Sequence, residues 1–168
     1  MFSVPGAGSG RPVDDLVELV LADHTRIDRL FEELEGSGDD MARLAALWAE
    51  LSGVLLAHIA AFEEICQLPL LHTVPDSSLS RQDLSAQKLD VSDAVAGARL
   101  QRVGSPQWWL AVRAAHAAAD QHISSTEGGP LRRFAQQAPE SARQELGRQW
   151  NRFMADLSGD RRGGLCPD

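Results

Sequence analysis

The sequence predicts an all-α protein, a four-helix core with an additional helix at its C-terminal end. Two observations carry that reading. Apolar residues recur every three or four positions along five separate stretches, and nowhere does the chain alternate apolar and polar residues as a strand would. Between the stretches stand residues that start or stop helices, chiefly Asp, Ser, Gly and Pro.

The first helix spans about residues 14–35, with acids in its first turn and Gly36 just past its end. Its apolar seam is Val13, Leu16, Val20, His24, Ile27, Phe31 and Leu34. A second helix starts near Asp39 and carries Leu44, Leu47, Leu51, Leu55, His58, Phe62 and Ile65 at the same spacing. Pro69 is expected to end or kink it, because proline lacks the helix donor and collides with the preceding turn. Pro75, Asp76, Ser77 and Ser78 then form a polar turn. The third helix, about residues 81–103, has a small, irregular seam of Leu84, Val91, Ala94 or Val95, and Ala98, with Gly104 closing it. Ser105 caps the fourth and Pro106 occupies its first position. Trp108, Val112, Ala115, Ala119, His122 and Thr126 form its seam, and Gly128, Gly129 and Pro130 terminate it. The fifth helix, about residues 140–157, is amphipathic through Leu146, Trp150, Phe153 and Leu157. A Gly/Pro/Ser-rich lead (residues 1–12) and a polar tail (159–168) flank a single domain at 13–158.

Net charge is −8 and the 16 basic residues, of which only Lys88 is lysine, are dispersed along the chain. Neither nucleic acid nor an anionic membrane is therefore expected as a partner. No apolar run approaches the roughly 20 residues of a membrane span, and the lead has no apolar signal region. Cys66 and Cys166 form no Cys-x-x-Cys pair and read as reduced thiols of a cytoplasmic protein. Tyrosine is absent from the chain.

The chemistry-bearing residues are His24, His58 and His122, each on the seam of a different helix. Neutral imidazoles converging inside a helical bundle are a standard way to hold a metal. A lone histidine on an apolar face is more often a satisfied core residue. His72, beyond Pro69, and His116, one residue off its seam, read as surface or supporting groups. Trp108 and Trp109 read as core packing plus one half-exposed ring, and Cys66 as a buried, inert thiol. Ferritin-type Glu-x-x-His, His-Glu-x-x-His and Walker-type phosphate-binding strings do not occur.

The segment Asp23-His24-Thr25-Arg26-Ile27-Asp28-Arg29-Leu30-Phe31 resembles the first histidine motif of haemerythrin-like (HHE cation-binding) domains. The stretch from Leu55 through His58 and Phe62 to Glu64 resembles their second motif, a histidine followed four residues on by glutamate. His122-Ile123-Ser124-Ser125-Thr126-Glu127 is similar to its repeat in the second half. The resemblance covers about residues 14–133. It implies an up-down four-helix bundle and, in typical members, a di-iron centre that binds dioxygen or nitric oxide, stores or senses iron, or handles peroxide.

Residue by residue, the chain keeps His24, His58 and His122 of that pattern. It departs at Phe62 and Thr126, where bridging glutamates are expected, and near Gly97 and Ala98, where the third helix should supply a histidine. Two ferrous ions would bring four positive charges inside, and three neutral imidazoles cancel none of them; uncompensated buried charge costs several kcal/mol per ion. Glu63 and Glu127 stand one residue beyond the vacated positions, roughly 100° around the helix. They reach the seam only through a π-bulge or a changed helix rotation. The expectation is thus at most one metal ion, iron or zinc, held by three imidazoles or by histidines plus Glu63 or Glu127. The partner would be a small molecule or diatomic gas, or the site would do redox work. The alternative is a metal-free enzyme or binding protein, such as one of specialised metabolism, reusing a cavity lined by Phe62, Ala98 and Thr126. A structural or interaction domain is the third possibility.

Overall fold

The computed structural model describes residues 14–74 and 80–163, and among them every regular element is helical. The elements are α1 (Leu16–Glu35), α2 (Met41–Ala61), a π-helical turn (Phe62–Cys66), α3 (Gln67–Thr73), α4 (Arg81–Arg99), α5 (Pro106–Glu127), α6 (Pro130–Gln137) and α7 (Glu140–Gly163). The expected lead, Val13, the Pro75 turn and Cys166 lie outside the described residues.

Capping residues set the starts. The side chains of Asp15, Asp40, Ser80 and Ser105 accept from the first-turn amides of α1, α2, α4 and α5, satisfying donors that have no partner inside the helix. Ser80 and Asp83 form a reciprocal capping box. Between α4 and α5, Gly104 adopts φ 79°, a left-handed conformation open to glycine at little cost.

Four boundaries differ from expectation. Helical structure runs through Pro69 to Thr73, and the π turn just upstream is the reason: it spans Ile65, whose carbonyl a regular α-helical Pro69 would strike. The third helix stops at Arg99, so Gly104 shapes the following turn and does not close the helix. Pro130 opens the short helix α6, because proline at a first helical position gives up a donor that would be unpaired anyway. Finally, α7 continues to Gly163, five residues into the expected polar tail. Met41–Thr73 is also long and apolar enough to cross a membrane by length and composition, contrary to expectation, with a mean hydropathy of 1.6 over an 18-residue window. Most of that window is buried inside the fold, where a helix contacting α1, α4 and α7 has to be apolar.

Side-chain contacts fix the directions. Asp23 meets His58 while Arg26 meets Glu50, so α1 and α2 run oppositely. Gln87 meets Ser125 while Gly97 faces Ala111, so α4 and α5 do too. Phe31 stacks on His116 while His24 reaches Glu127, which sets α5 antiparallel to α1. The helix α7 lies against α1, α2 and the π turn. Two apolar cores result. One gathers Ile27, Phe31, Leu51, Val95 and Trp108; the other gathers Val20, Phe62, Leu70, Phe134 and Trp150. Between the two lies a polar layer.

Candidate metal centre

That layer is built from His24 of α1, His58 of α2 and His122 of α5, which are 1%, 0% and 3% exposed. Each follows the seam of its helix, one turn after Val20, Val54 and Ala119 respectively, so the periodicity that buries those residues also turns the imidazoles inward. Their Nε2 atoms converge. Nε2 of His58 lies 3.2 Å from Nε2 of His24 and 3.2 Å from Nε2 of His122. The three rings can offer ligand atoms all within 4.8 Å of one another.

The opposite ring nitrogens are all occupied. Nδ1 of His24 is 2.7 Å from Oε1 of Glu127, Nδ1 of His58 is 3.3 Å from Oδ2 of Asp23, and Nδ1 of His122 is 3.2 Å from Oε1 of Gln87. Ionised carboxylates only accept, so Nδ1 of His24 and of His58 must carry the proton. The Gln87 amide is oriented by its neighbours. Ser125 donates its hydroxyl to the His122 carbonyl, so Oγ of Ser125 accepts from Nε2 of Gln87 and leaves Oε1 of Gln87 to accept from His122. All three imidazoles therefore present Nε2 lone pairs to one point.

That arrangement is costly without a cation. Among the described residues no donor other than another imidazole faces those lone pairs, and an unsatisfied buried acceptor costs about 1–3 kcal/mol. Protonation is resisted as well. Burial, reinforced by the neighbouring His58, lowers the pKa of His24 to about 4 against the opposing pull of Glu127. Burial, with His58 and His24 nearby, holds His122 well below its ordinary value. A metal ion satisfies the three lone pairs together. An ion at the ~2.0–2.1 Å of a zinc–imidazole bond from two nitrogens 3.2 Å apart subtends them at about 100°, near the tetrahedral angle. The two spacings made by His58 thus fit a single ion, and His24 and His122 offer their ligand atoms within 4.8 Å of each other.

The other expected site residues separate. Glu63 and Glu64 are both exposed on the π turn, and Glu63 pairs with Lys88 on the surface, away from the lone pairs. The π turn exists, but it swings Glu63 outward. Glu127 does reach the histidines, yet it binds the far nitrogen of His24 and so supports a ligand without being one. Phe62 is buried with its ring against His122 and His58. Thr126 is buried too, its hydroxyl donating to the His122 carbonyl at 2.8 Å. Ala98 packs in the other core, eleven residues and about 16 Å along α4 from Gln87. It is Gln87, and neither Gly97 nor Ala98, that faces the histidines from α4. Phe62, Ala98 and Thr126 thus line no common pocket. The void beside His122, lined also by Ile59, Phe62, Gln67 and Leu84, measures about 10 Å³, which is room for about one water. It counts against an organic ligand at this point.

Three participants were not foreseen. Asp23 immediately precedes His24, and Gln87 sits three residues after Leu84 and four before Val91, a polar residue on a buried seam. Trp150 closes the layer from α7 with its ring 5.4 Å from His58. His72 is exposed and His116 half-buried between Phe31, Glu35 and Asp120; Trp109 is half-exposed beside buried Trp108. Burial also raises the Cys66 thiol pKa well above its ordinary value, leaving it a poor nucleophile and ligand. No family model, curated protein or solved structure matches the chain.

Proposed function

We propose that this chain is a haemerythrin-like helical bundle, with α1, α2, α4 and α5 in up-down order and α7 added, that binds one metal ion through His24, His58 and His122. One observation carries the reading: Nε2 of His58 lies 3.2 Å from Nε2 of both His24 and His122, with the three ligand atoms all within 4.8 Å, while every Nδ1 has an acceptor. The antiparallel pairings of α1 with α2, α1 with α5, and α4 with α5 support the bundle. Iron or zinc is the metal that three imidazoles suit. Such an ion supplies Lewis acidity and, if iron, a redox couple. A pair of irons is disfavoured because Phe62 and Thr126 place a phenyl ring and a backbone-bonded hydroxyl where bridging carboxylates are needed.

What the site takes is small. With about 10 Å³ beside His122 and the Glu63–Lys88 pair on its rim, the space admits a water-sized or diatomic ligand. Small-molecule or gas binding, or redox work on such a ligand, is the role proposed. Elemental analysis of protein produced with iron and with zinc supplied is the test. About one ion per chain, abolished by replacing the three histidines together, is expected. Two irons per chain with a di-iron absorption band, or no metal under either condition, would overturn the proposal.

A further inference from the structure

Resting on that single-metal reading, we propose that Asp23, Glu127 and Gln87 set the charge of the ion, selecting a divalent over a trivalent cation. The imidazoles are neutral, so charge balance falls to whatever faces their outer nitrogens. From α1 that is the Asp23 carboxylate, on His58; from α5 the Glu127 carboxylate, on His24; from α4 the uncharged Gln87 amide, on His122. The other charged groups near the cluster are paired or at the surface. Glu63 of the π turn is tied to Lys88 of α4, and α7 brings the Trp150 indole. Arg132 of α6 is exposed on the open groove outside Glu127.

Two negative charges, each one imidazole ring away, match the two positive charges of a divalent ion. A carboxylate accepting from Nδ1–H also makes Nε2 a stronger donor to metal, and such outer partners carry about 10- to 100-fold in affinity. Gln87 is the exception among the three, an amide that carries no charge. Its Nε2 donates to Ser125, a bond that only an amide at this position makes. A third carboxylate here would favour a trivalent ion.

Orientation and charge are separable with isosteric substitutions. In the full chain, Asp23→Asn and Glu127→Gln keep an oxygen acceptor but remove the charge, whereas Asp23→Ala removes both. Titration with Co²⁺, with Ga³⁺ supplied as its citrate complex, and far-UV circular dichroism to monitor folding, gives the comparison. Each amide variant is expected to bind Co²⁺ about 10- to 100-fold more weakly than the unmodified chain. Gln87→Glu is expected to raise the Ga³⁺/Co²⁺ affinity ratio at least about ten-fold. Full rescue by Asp23→Asn of the affinity lost in Asp23→Ala would show that only orientation matters and overturn the inference, as would an unchanged ratio in a folded Gln87→Glu. Should Gln87→Glu not fold, the two amide variants decide. An unmodified chain that binds no Co²⁺ overturns the single-metal reading itself.

Discussion

Phe62 stands edge-on to His122, ring centroids 4.8 Å apart and planes 89° from parallel. The same ring leans on His58 at 6.1 Å, so one phenyl group separates the histidine layer from the apolar core beneath it. A carboxylate at this position would face both imidazoles. Phe62→Glu is therefore expected to raise Zn²⁺ affinity at least about ten-fold, or 1.4 kcal/mol. The same change should destabilise the metal-free chain by about 3 kcal/mol, through lost packing and a buried charge. Calorimetric titration and urea unfolding without metal read the two effects. Unchanged affinity would put residue 62 out of reach of the ion.

His58 is the shared member of the cluster, since its Nε2 is the atom 3.2 Å from both of the others. A ligand that binds only the folded state stabilises it by about 2.7 kcal/mol at one hundred times its dissociation constant. Zn²⁺ should accordingly raise the thermal midpoint of the unmodified chain, and His58→Ala should erase that rise. A retained rise would move the metal to another group, such as His116 with Glu35 and Asp120.

The three histidines were legible because burial periodicity and side-chain chemistry coincide at His24, His58 and His122: a helix seam can be counted along one strand of sequence. What could not be counted is the register between helices. Counting along the third helix points to Gly97 and Ala98, but the residue facing His122 is Gln87, and that offset is set by how α4 packs along α5. The same limit hid Asp23, whose partner is not on its own helix but 35 residues away. Glu63 shows a subtler failure. A π-bulge was the condition for turning it inward, and the π turn is present, yet the added residue emerges on the solvent side and pairs with Lys88.

Acid should weaken the fold in a defined window. In the unfolded chain His24 takes up a proton below its ordinary value of 6.5, whereas in the folded chain it does so only near 4, mainly because it is buried. Between those values the unfolded state binds more protons, so unfolding becomes easier as pH falls. The stability is fully present above 6.5 and is lost on the way down to about 4, an effect on the order of 3 kcal/mol. His122, lowered in the same direction, adds to it. Urea unfolding of the metal-free chain at pH 7 and pH 5 measures the loss. His24→Gln should flatten the profile, and a stability that rises toward pH 5 would contradict the assignment of neutral, buried imidazoles.

Gly147 governs how α7 docks. A methyl group there would collide with the Asp14 carbonyl oxygen and crowd the Leu16 amide at 3.1 Å, so only glycine lets α7 approach the start of α1 this closely. Around it, Arg143 bonds Asp15 at 2.8 Å and fixes the angle of approach. One turn further along α7, Trp150 packs against His58. Gly147→Ala should therefore act at two distances. Overpacking at the docking point is expected to destabilise the chain by about 1–3 kcal/mol. Lifting α7 should also admit water around Trp150, red-shifting its fluorescence and loosening the metal ion beside it. Comparison with a Trp150→Phe chain isolates that emission from Trp48, Trp108 and Trp109. If Gly147→Ala keeps both the unfolding midpoint and the Trp150 emission of the unmodified chain, α7 does not depend on this contact to close the histidine layer.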